Sequence, residues 1–367
     1  MSNLRVAVIG VGHLGQIHAR LLRQVDGVEL IGIVDPAAAA RAALATELNV
    51  VAYAEHAPLL GHIDAAIIAA PSSLHHGVAL DLLNHDTHVF IEKPMTLNVG
   101  DADDLIAEAT SRQLVLQVGH VERFNPALVA AAPHLVEPKY IDAVRSGPYT
   151  CRSTDIGVVL DLMIHDIDAT LSLLDDELVS VQALGAAVFG PNEDWAQARL
   201  TFAGGCVANL FASRVAWQAQ RSMHVVCREC VAGIDFGARR TRLMRSSEQV
   251  ATGRLEIATL DPSQRAHVKE HLFQDYLPLM DFAPAETNPL LEEQRNFVAA
   301  IRGQEVVRVS GRDGRRSLDV AERILTEIAA HRWEGVAVGA IGPRFETRDA
   351  TLRGPHWRQA AQRRKAG

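Results

Sequence analysis

A chain of 367 residues exceeds what one hydrophobic core usually organises, so two domains of roughly 120 and 220 residues are expected. Apolar residues make up 48% and charged residues 22%, the balance of a soluble globular protein, and no stretch approaches the roughly 20 apolar residues of a membrane span. The formal net charge of -8 argues against a nucleic-acid surface, which needs clustered Lys and Arg. In chain order, residues 4–9 form a β-branched run ending at Gly10, residues 16–24 read as a helix, and residues 29–34 form a second strand ending at Asp35. The alternation continues with helices over 37–48, 75–84 and 99–112 and strands over 64–69, 88–91 and 114–118. Such alternation predicts a parallel sheet covered on both faces, a first domain over residues 1–120. After Gly119 the texture changes: strand-like stretches at 140–144, 179–184, 196–202, 206–212 and 223–226 are joined by connections too short for crossover helices. This predicts an α/β second domain over 121–340, built on a mainly antiparallel sheet. Its helices are expected over 158–174, 289–302 and 315–332, the last introduced by the turn Ser310-Gly-Arg-Asp-Gly314. Residues 341–367 are a basic tail, in which Arg344, Arg348, Arg353, Arg358, Arg363, Arg364 and Lys365 outnumber Glu346 and Asp349; it reads as a solvated end.

The start, Met-Ser-Asn-Leu-Arg, runs straight into a strand without a signal-like apolar region, so a cytoplasmic protein is expected. Cys151, Cys206, Cys227 and Cys230 fit a reducing compartment. The Cys227-Arg-Glu-Cys230 spacing lacks the second ligand pair of a structural zinc site, and no metal is expected.

The glycine turn Gly10-Val-Gly12-His-Leu-Gly15 has a mechanical purpose at the end of a strand. Gly10 permits the tight turn, Gly12 lets backbone approach a pyrophosphate, and Gly15 lets the helix pack on the strand. The pyrophosphate then meets the free N–H groups and positive dipole end of the helix. Asp35, twenty residues past Gly15, can accept hydrogen bonds from both ribose hydroxyls and would repel a 2′-phosphate, and no Lys or Arg follows until Arg41. NAD is therefore expected as cofactor in preference to NADP; a cap for the following helix is the other reading of Asp35.

Two further features lie at carboxyl ends of expected strands, where such sheets bind ligands: Pro71 with His75, and Glu92-Lys93-Pro94. A lysine there can hold an ammonium near a developing alkoxide. On the helix over 158–174, Asp161 and His165 are four residues apart, on one face and within reach of a common ligand. An imidazole suits removal of a hydroxyl proton near neutral pH, although a structural histidine fits the same spacing.

Together these residues resemble the glucose-fructose oxidoreductase, inositol dehydrogenase and rhizopine-catabolism family, Gfo/Idh/MocA, over about residues 1–335. The resemblance rests on Gly10-x-Gly12-x-x-Gly15, Pro71 with His75, Glu92-Lys93-Pro94, Asp161 with His165, and Val309-Ser-Gly-Arg-Asp-Gly314. It implies a Rossmann domain, a second domain with a large open sheet whose face makes a homodimer or homotetramer, and an active site between the two. It assigns Lys93, Asp161 and His165 to catalysis, with His165 the proton acceptor, Lys93 on the same oxygen, and Asp161 orienting the sugar and His165. The cofactor is expected against Gly10, Gly12, His13, Leu14, Gly15, Asp35, Pro71, His75, Glu92 and Lys93.

A narrower resemblance lies in Val118-Gly-His120-Val-Glu122-Arg123-Phe124-Asn125-Pro126 and in Arg152-Ser-Thr-Asp155-Ile-Gly-Val-Val-Leu-Asp161-Leu-Met-Ile-His165-Asp166. Both segments look like the family branch that oxidises the 3-hydroxyl of UDP-N-acetylglucosamine and feeds a 3-keto sugar nucleotide to a pyridoxal-phosphate aminotransferase, on the way to 3-amino sugars of lipid A or O-antigen. Arg123 and Arg152 are then expected to neutralise the diphosphate, beside Lys93, Asp161 and His165 at the sugar; ordinary surface or interdomain arginines fit the same positions. The alternatives are a dehydrogenase of a free polyol, inositol or aldose, and an NAD(H)-binding sensor without turnover.

Overall fold

The computed structural model describes residues 2–151, 155–189, 191–282 and 286–331. Arg152 and the basic tail lie outside the described residues.

The first domain runs β1 (Leu4–Ile9), α1 (His13–Leu22), β2 (Val28–Val34), α2 (Ala38–Leu48), β3 (Val51–Tyr53), β4 (Ala65–Ile68), α3 (His75–Asn84), β5 (His88–Glu92), α4 (Val99–Ser111) and β6 (Leu116–Gly119). Its six strands lie in the order β3-β2-β1-β4-β5-β6, every pair parallel. Helices cover both faces, so β4 is buried at every residue and shows no alternation. The chain reverses order beside β1, which opens a crevice at the carboxyl ends of β1 and β4.

Gly10 ends β1 at a φ of +89°, a conformation that favours glycine. Gly15 packs so closely on it that a Cβ would stand 1.8 Å from the Gly10 carbonyl oxygen. Gly15→Ala must push backbone apart and is expected to cost about 3 kcal/mol. Thermal denaturation should show a clearly lowered Tm, and an unchanged Tm would contradict this packing.

The second domain contains α5 (Pro126–Ala131), β7 (Pro138–Ser146), a π-turn at Val159–Met163 that leads into α6 (Ile164–Leu173), β8 (Leu178–Ala186), β9 (Trp195–Phe202), β10 (Val207–Ser213), β11 (Gln220–Cys227), β12 (Cys230–Asp235) and β13 (Arg240–Arg245). Then come α7 (Glu248–Ala251), α8 (Pro262–Glu270), β14 (Leu279–Phe282), α9 (Pro289–Ile301) and α10 (Gly311–Ala330). Eight strands form one sheet in the order β14-β13-β12-β11-β7-β10-β9-β8, antiparallel except for the parallel pair β7–β10. Helix α6 packs on β7 and β10, and α10 packs on β8 and α6, so Ile141, Ala143, Leu210 and Ala212 face the helices and are buried. Alternate residues such as Tyr140 and Phe211 stand exposed on the other face.

Three expectations need correction. Ser310–Gly314 is the first turn of α10 rather than a turn ahead of it: the Ser310 side chain accepts from the Asp313 N–H, and Asp313 accepts from Ser310 N–H in return. Turn-forming residues and a reciprocal cap look alike in sequence. The helix expected over 158–174 opens as a π-turn. Helix α9, expected within the second domain, packs on the first, where Leu291, Phe297 and Val298 join a core with Val6, Val8, Ile33 and Phe90.

Candidate active site

A cavity of about 730 Å³ lies at the crevice beside β1 and β4, and both domains line it. Gly10, Asp35, Pro71 and Lys93 come from the first, Asp155 and Asp161 from the second. At Gly12 a Cβ would meet nothing within 4 Å, so the backbone of the glycine turn is open to the cavity. His13 and Leu14 are exposed in the first turn of α1, whose N–H groups have no helical partner and suit a pyrophosphate.

Asp35 serves both of its sequence readings. One oxygen accepts from Val11 N–H at 2.9 Å and ties the glycine turn to β2; the other accepts from Ala37 N–H at 2.8 Å, just ahead of α2. Its carboxylate still lines the cavity, while Arg41 donates to the carbonyls of Asp35 and Pro36. His75 is buried with its ring nitrogens 2.9 Å from the carbonyl oxygens of Pro94 and Ala70, so it clamps the cavity wall. Glu92 lines the cavity and accepts from His18 at 2.7 Å and from Lys93 N–H at 3.2 Å, so it also braces the wall that carries the lysine.

The lysine and the second domain meet directly. Lys93 Nζ donates to the Asp161 carbonyl at 2.7 Å and to its carboxylate at 3.0 Å, with the two side chains only 12% and 19% exposed. The π-turn presents both oxygens of Asp161 to one ammonium. Asp161 and His165 make no hydrogen bond with each other, which corrects the expectation that the carboxylate orients the imidazole; the carboxylate is taken by Lys93. His165 stands edge-on to His120, ring centroids 6.4 Å apart. Burial, then the positive charges of Lys93 and Arg145, hold the His165 imidazole well below its ordinary range, so it is neutral at pH 7 and can accept a proton.

Residues 4–120 match the profile of the oxidoreductase family with an NAD-binding Rossmann fold, GFO/IDH/MocA, and residues 138–232 match the GFO/IDH/MocA C-terminal domain. The chain belongs to the GFO/IDH/MocA oxidoreductases. UDP-N-acetylglucosamine 3-dehydrogenase of Acidithiobacillus ferrooxidans is 40% identical over 64% of this chain and 75% of that protein. A solved structure of that dehydrogenase shares the fold at a TM-score of 0.78 and 34% identity, over 90% of this chain and 99% of the other. Myo-inositol 2-dehydrogenase of Thermotoga maritima is 25% identical over 86% of this chain and 93% of its own. As a GFO/IDH/MocA enzyme, this protein is an NAD-dependent dehydrogenase acting on a CH–OH group. Among the described residues no helix is long and apolar enough to cross a membrane.

In this GFO/IDH/MocA chain the expected diphosphate ligand Arg123 is engaged internally. Its guanidinium lies 3.7 Å from Asp168 and 3.5 Å from Asp313, and donates to the Arg308 carbonyl. All three partners belong to the second domain, so the residue ties the turn after β6 to α6 and to the start of α10. Arg221, not singled out from sequence, is exposed at the start of β11, and its side chain makes no hydrogen bond or ion pair among the described residues, while its charge is felt at His165 and Asp166. Sequence reasoning also missed a buried ion triad: Arg145 lies 2.8 Å from Glu122 and 2.8 Å from Asp166, next to His165 in the chain. An arginine at an inward position of strand β7 was the available signal. Cys227 and Cys230 are buried thiols facing each other across a hairpin, and burial pushes Cys227 up to about 12, so it behaves as an inert apolar group.

Proposed function

We propose that the substrate is a UDP-sugar, UDP-N-acetylglucosamine, oxidised at its 3-hydroxyl to a 3-keto sugar nucleotide. One observation carries the chemical part: Lys93 of the first domain and Asp161 of the second meet at the dinucleotide cavity, and four residues further on the His165 imidazole, behind that lining, is held neutral by burial and by the charge of the same lysine. The similarity to UDP-N-acetylglucosamine 3-dehydrogenase supports the choice of sugar.

Bound NAD supplies the hydride acceptor. His165 takes the hydroxyl proton as the C–H bond breaks. The Lys93 ammonium stabilises the alkoxide that develops on the same oxygen, and Asp161 holds Nζ in place for it. A 3-keto sugar is a substrate for amination, so a pyridoxal-phosphate aminotransferase is the proposed consumer. A homodimer or homotetramer is proposed over the outer sheet face, which exposes Tyr140 and Phe211.

Arg221, whose side chain has no partner among the described residues and whose charge reaches His165, is the proposed diphosphate ligand, although it lines a separate cavity beside β11 and β12. Arg221→Ala is expected to raise KM for UDP-N-acetylglucosamine about tenfold or more, the worth of a charge-assisted hydrogen bond, with kcat little changed. The engagement of Arg123 also favours a second reading, a dehydrogenase of a free polyol or inositol, for which Arg221 would be dispensable. The test is nicotinamide reduction with UDP-N-acetylglucosamine, free N-acetylglucosamine and myo-inositol, each coupled to an aminotransferase with glutamate. Reduction with the sugar nucleotide alone supports the first reading, and reduction with inositol alone replaces it by the second.

A further inference from the structure

Helix α9 sends Glu293 into the first domain, where it is fully buried. Atoms of Glu293, Glu92 and His18 lie within 4.8 Å of one another. Both carboxyl oxygens of Glu293 lack a hydrogen-bond partner among the described residues. Two ionised carboxylates this close and this dry repel strongly. The ammonium of Lys93 is committed to Asp161; its charge reaches Glu92 but does not compensate Glu293. Gln117, on β6, and Gln294, on α9, add only neutral amides, while Glu122 and Arg123 on the neighbouring turn are paired elsewhere. The pair therefore needs either a proton or a divalent cation.

His18 decides between them. Its Nδ1 lies 2.8 Å from Gln294 Nε2, which also donates to the His18 carbonyl at 3.2 Å, so the amide orientation is set and Nδ1 is the accepting nitrogen. His18 Nε2 then carries the hydrogen and gives it to Glu92 at 2.7 Å. A protonated ring nitrogen cannot ligate a metal.

We propose that Glu293 is held as the neutral acid and donates its proton in a hydrogen bond to Glu92, which makes it a positioning residue for Lys93. Glu92 accepts from the Lys93 N–H, so α9 steadies the lysine backbone through one carboxyl pair. Burial, and then the charge of Glu92, push the Glu293 carboxyl well above the ordinary range. Glu92 goes the other way: its burial is outweighed by the His18 hydrogen bond and the charge of Lys93. Because the folded-state value of Glu293 is raised, its contribution to stability is complete at acid pH and is lost as pH rises through that value.

The test compares wild type with Glu293→Gln, a neutral isostere that still donates, and with Glu293→Ala. The infrared difference between wild type and E293Q at neutral pH should show the carbonyl stretch of a protonated carboxylic acid, which ionised carboxylates lack. Wild type should lose Tm and kcat on going alkaline, and E293Q should keep most of its neutral-pH kcat and lose less of both. E293A should lose about tenfold in kcat, a loss that Gln rescues. The infrared and Tm readouts need no substrate, so they stand or fall apart from the proposed sugar. No acid band in the difference spectrum, E293Q as impaired as E293A, or one equivalent of divalent metal whose chelation lowers Tm would each overturn the proposal.

Discussion

His165→Ala is expected to lower kcat about a thousandfold with little change in NAD affinity, because it removes the proton acceptor and leaves the dinucleotide cavity intact. The pH profile adds a second signature. A base must be neutral to act, and burial with Lys93 and Arg145 nearby keeps His165 neutral well below the ordinary imidazole range. The acid limb of kcat/KM should therefore lie on the acid side of that range. Lys93→Met removes the second cause of the depression, after burial, so its residual activity should show an acid limb moved upward. Steady-state kinetics across pH checks both variants. A His165→Ala enzyme with near wild-type kcat would show that another group takes the proton.

Arg145→Met is expected to destabilise the protein by about 3–5 kcal/mol, since it strands Glu122 and Asp166 without their shared counter-charge. All three side chains are at most 8% exposed. Asp166 already feels the cost of burial, which pushes its carboxyl upward even with the guanidinium beside it. Arg145→Lys should recover little, because one ammonium cannot match the two-sided fork that reaches Glu122, on the turn after β6, and Asp166, on α6, at once. Denaturant unfolding measures this directly. A loss below about 1 kcal/mol would place the triad among ordinary surface pairs.

The alternating first domain was legible because its parallel strands are short apolar runs between glycine turns and helices, and β4 shows why: with both faces covered, Ala65–Ile68 carries no polar residue. The second domain was legible only in outline. Strand β13, Arg240-Thr-Arg-Leu-Met-Arg245, hides its buried Thr241 and Leu243 between arginines, and β12 and β14 are likewise set by cross-strand pairing that one segment does not reveal. In the site, Lys93, Asp161 and His165 were visible as residue types at suggestive positions. Their pairing was not. Helical spacing pointed Asp161 at His165, whereas the carboxylate meets an ammonium sixty-eight positions upstream. The engagement of Arg123 was hidden for the same reason, because Asp168 and Asp313 reach it only in the folded chain. Glu293 carries no local sign of its burial against Glu92; α9 is amphipathic, and only its docking on the first domain shows which acid turns inward.

The most direct measurement uses UDP-N-acetylglucosamine carrying deuterium at C3 with unlabelled NAD. If the sugar hydroxyl meets Lys93 and His165 beside the nicotinamide, mass spectrometry of the reduced cofactor will show one deuterium, and kcat or kcat/KM will fall with the label. Reduced cofactor without deuterium, or label delivered only from another ring carbon, would contradict the account.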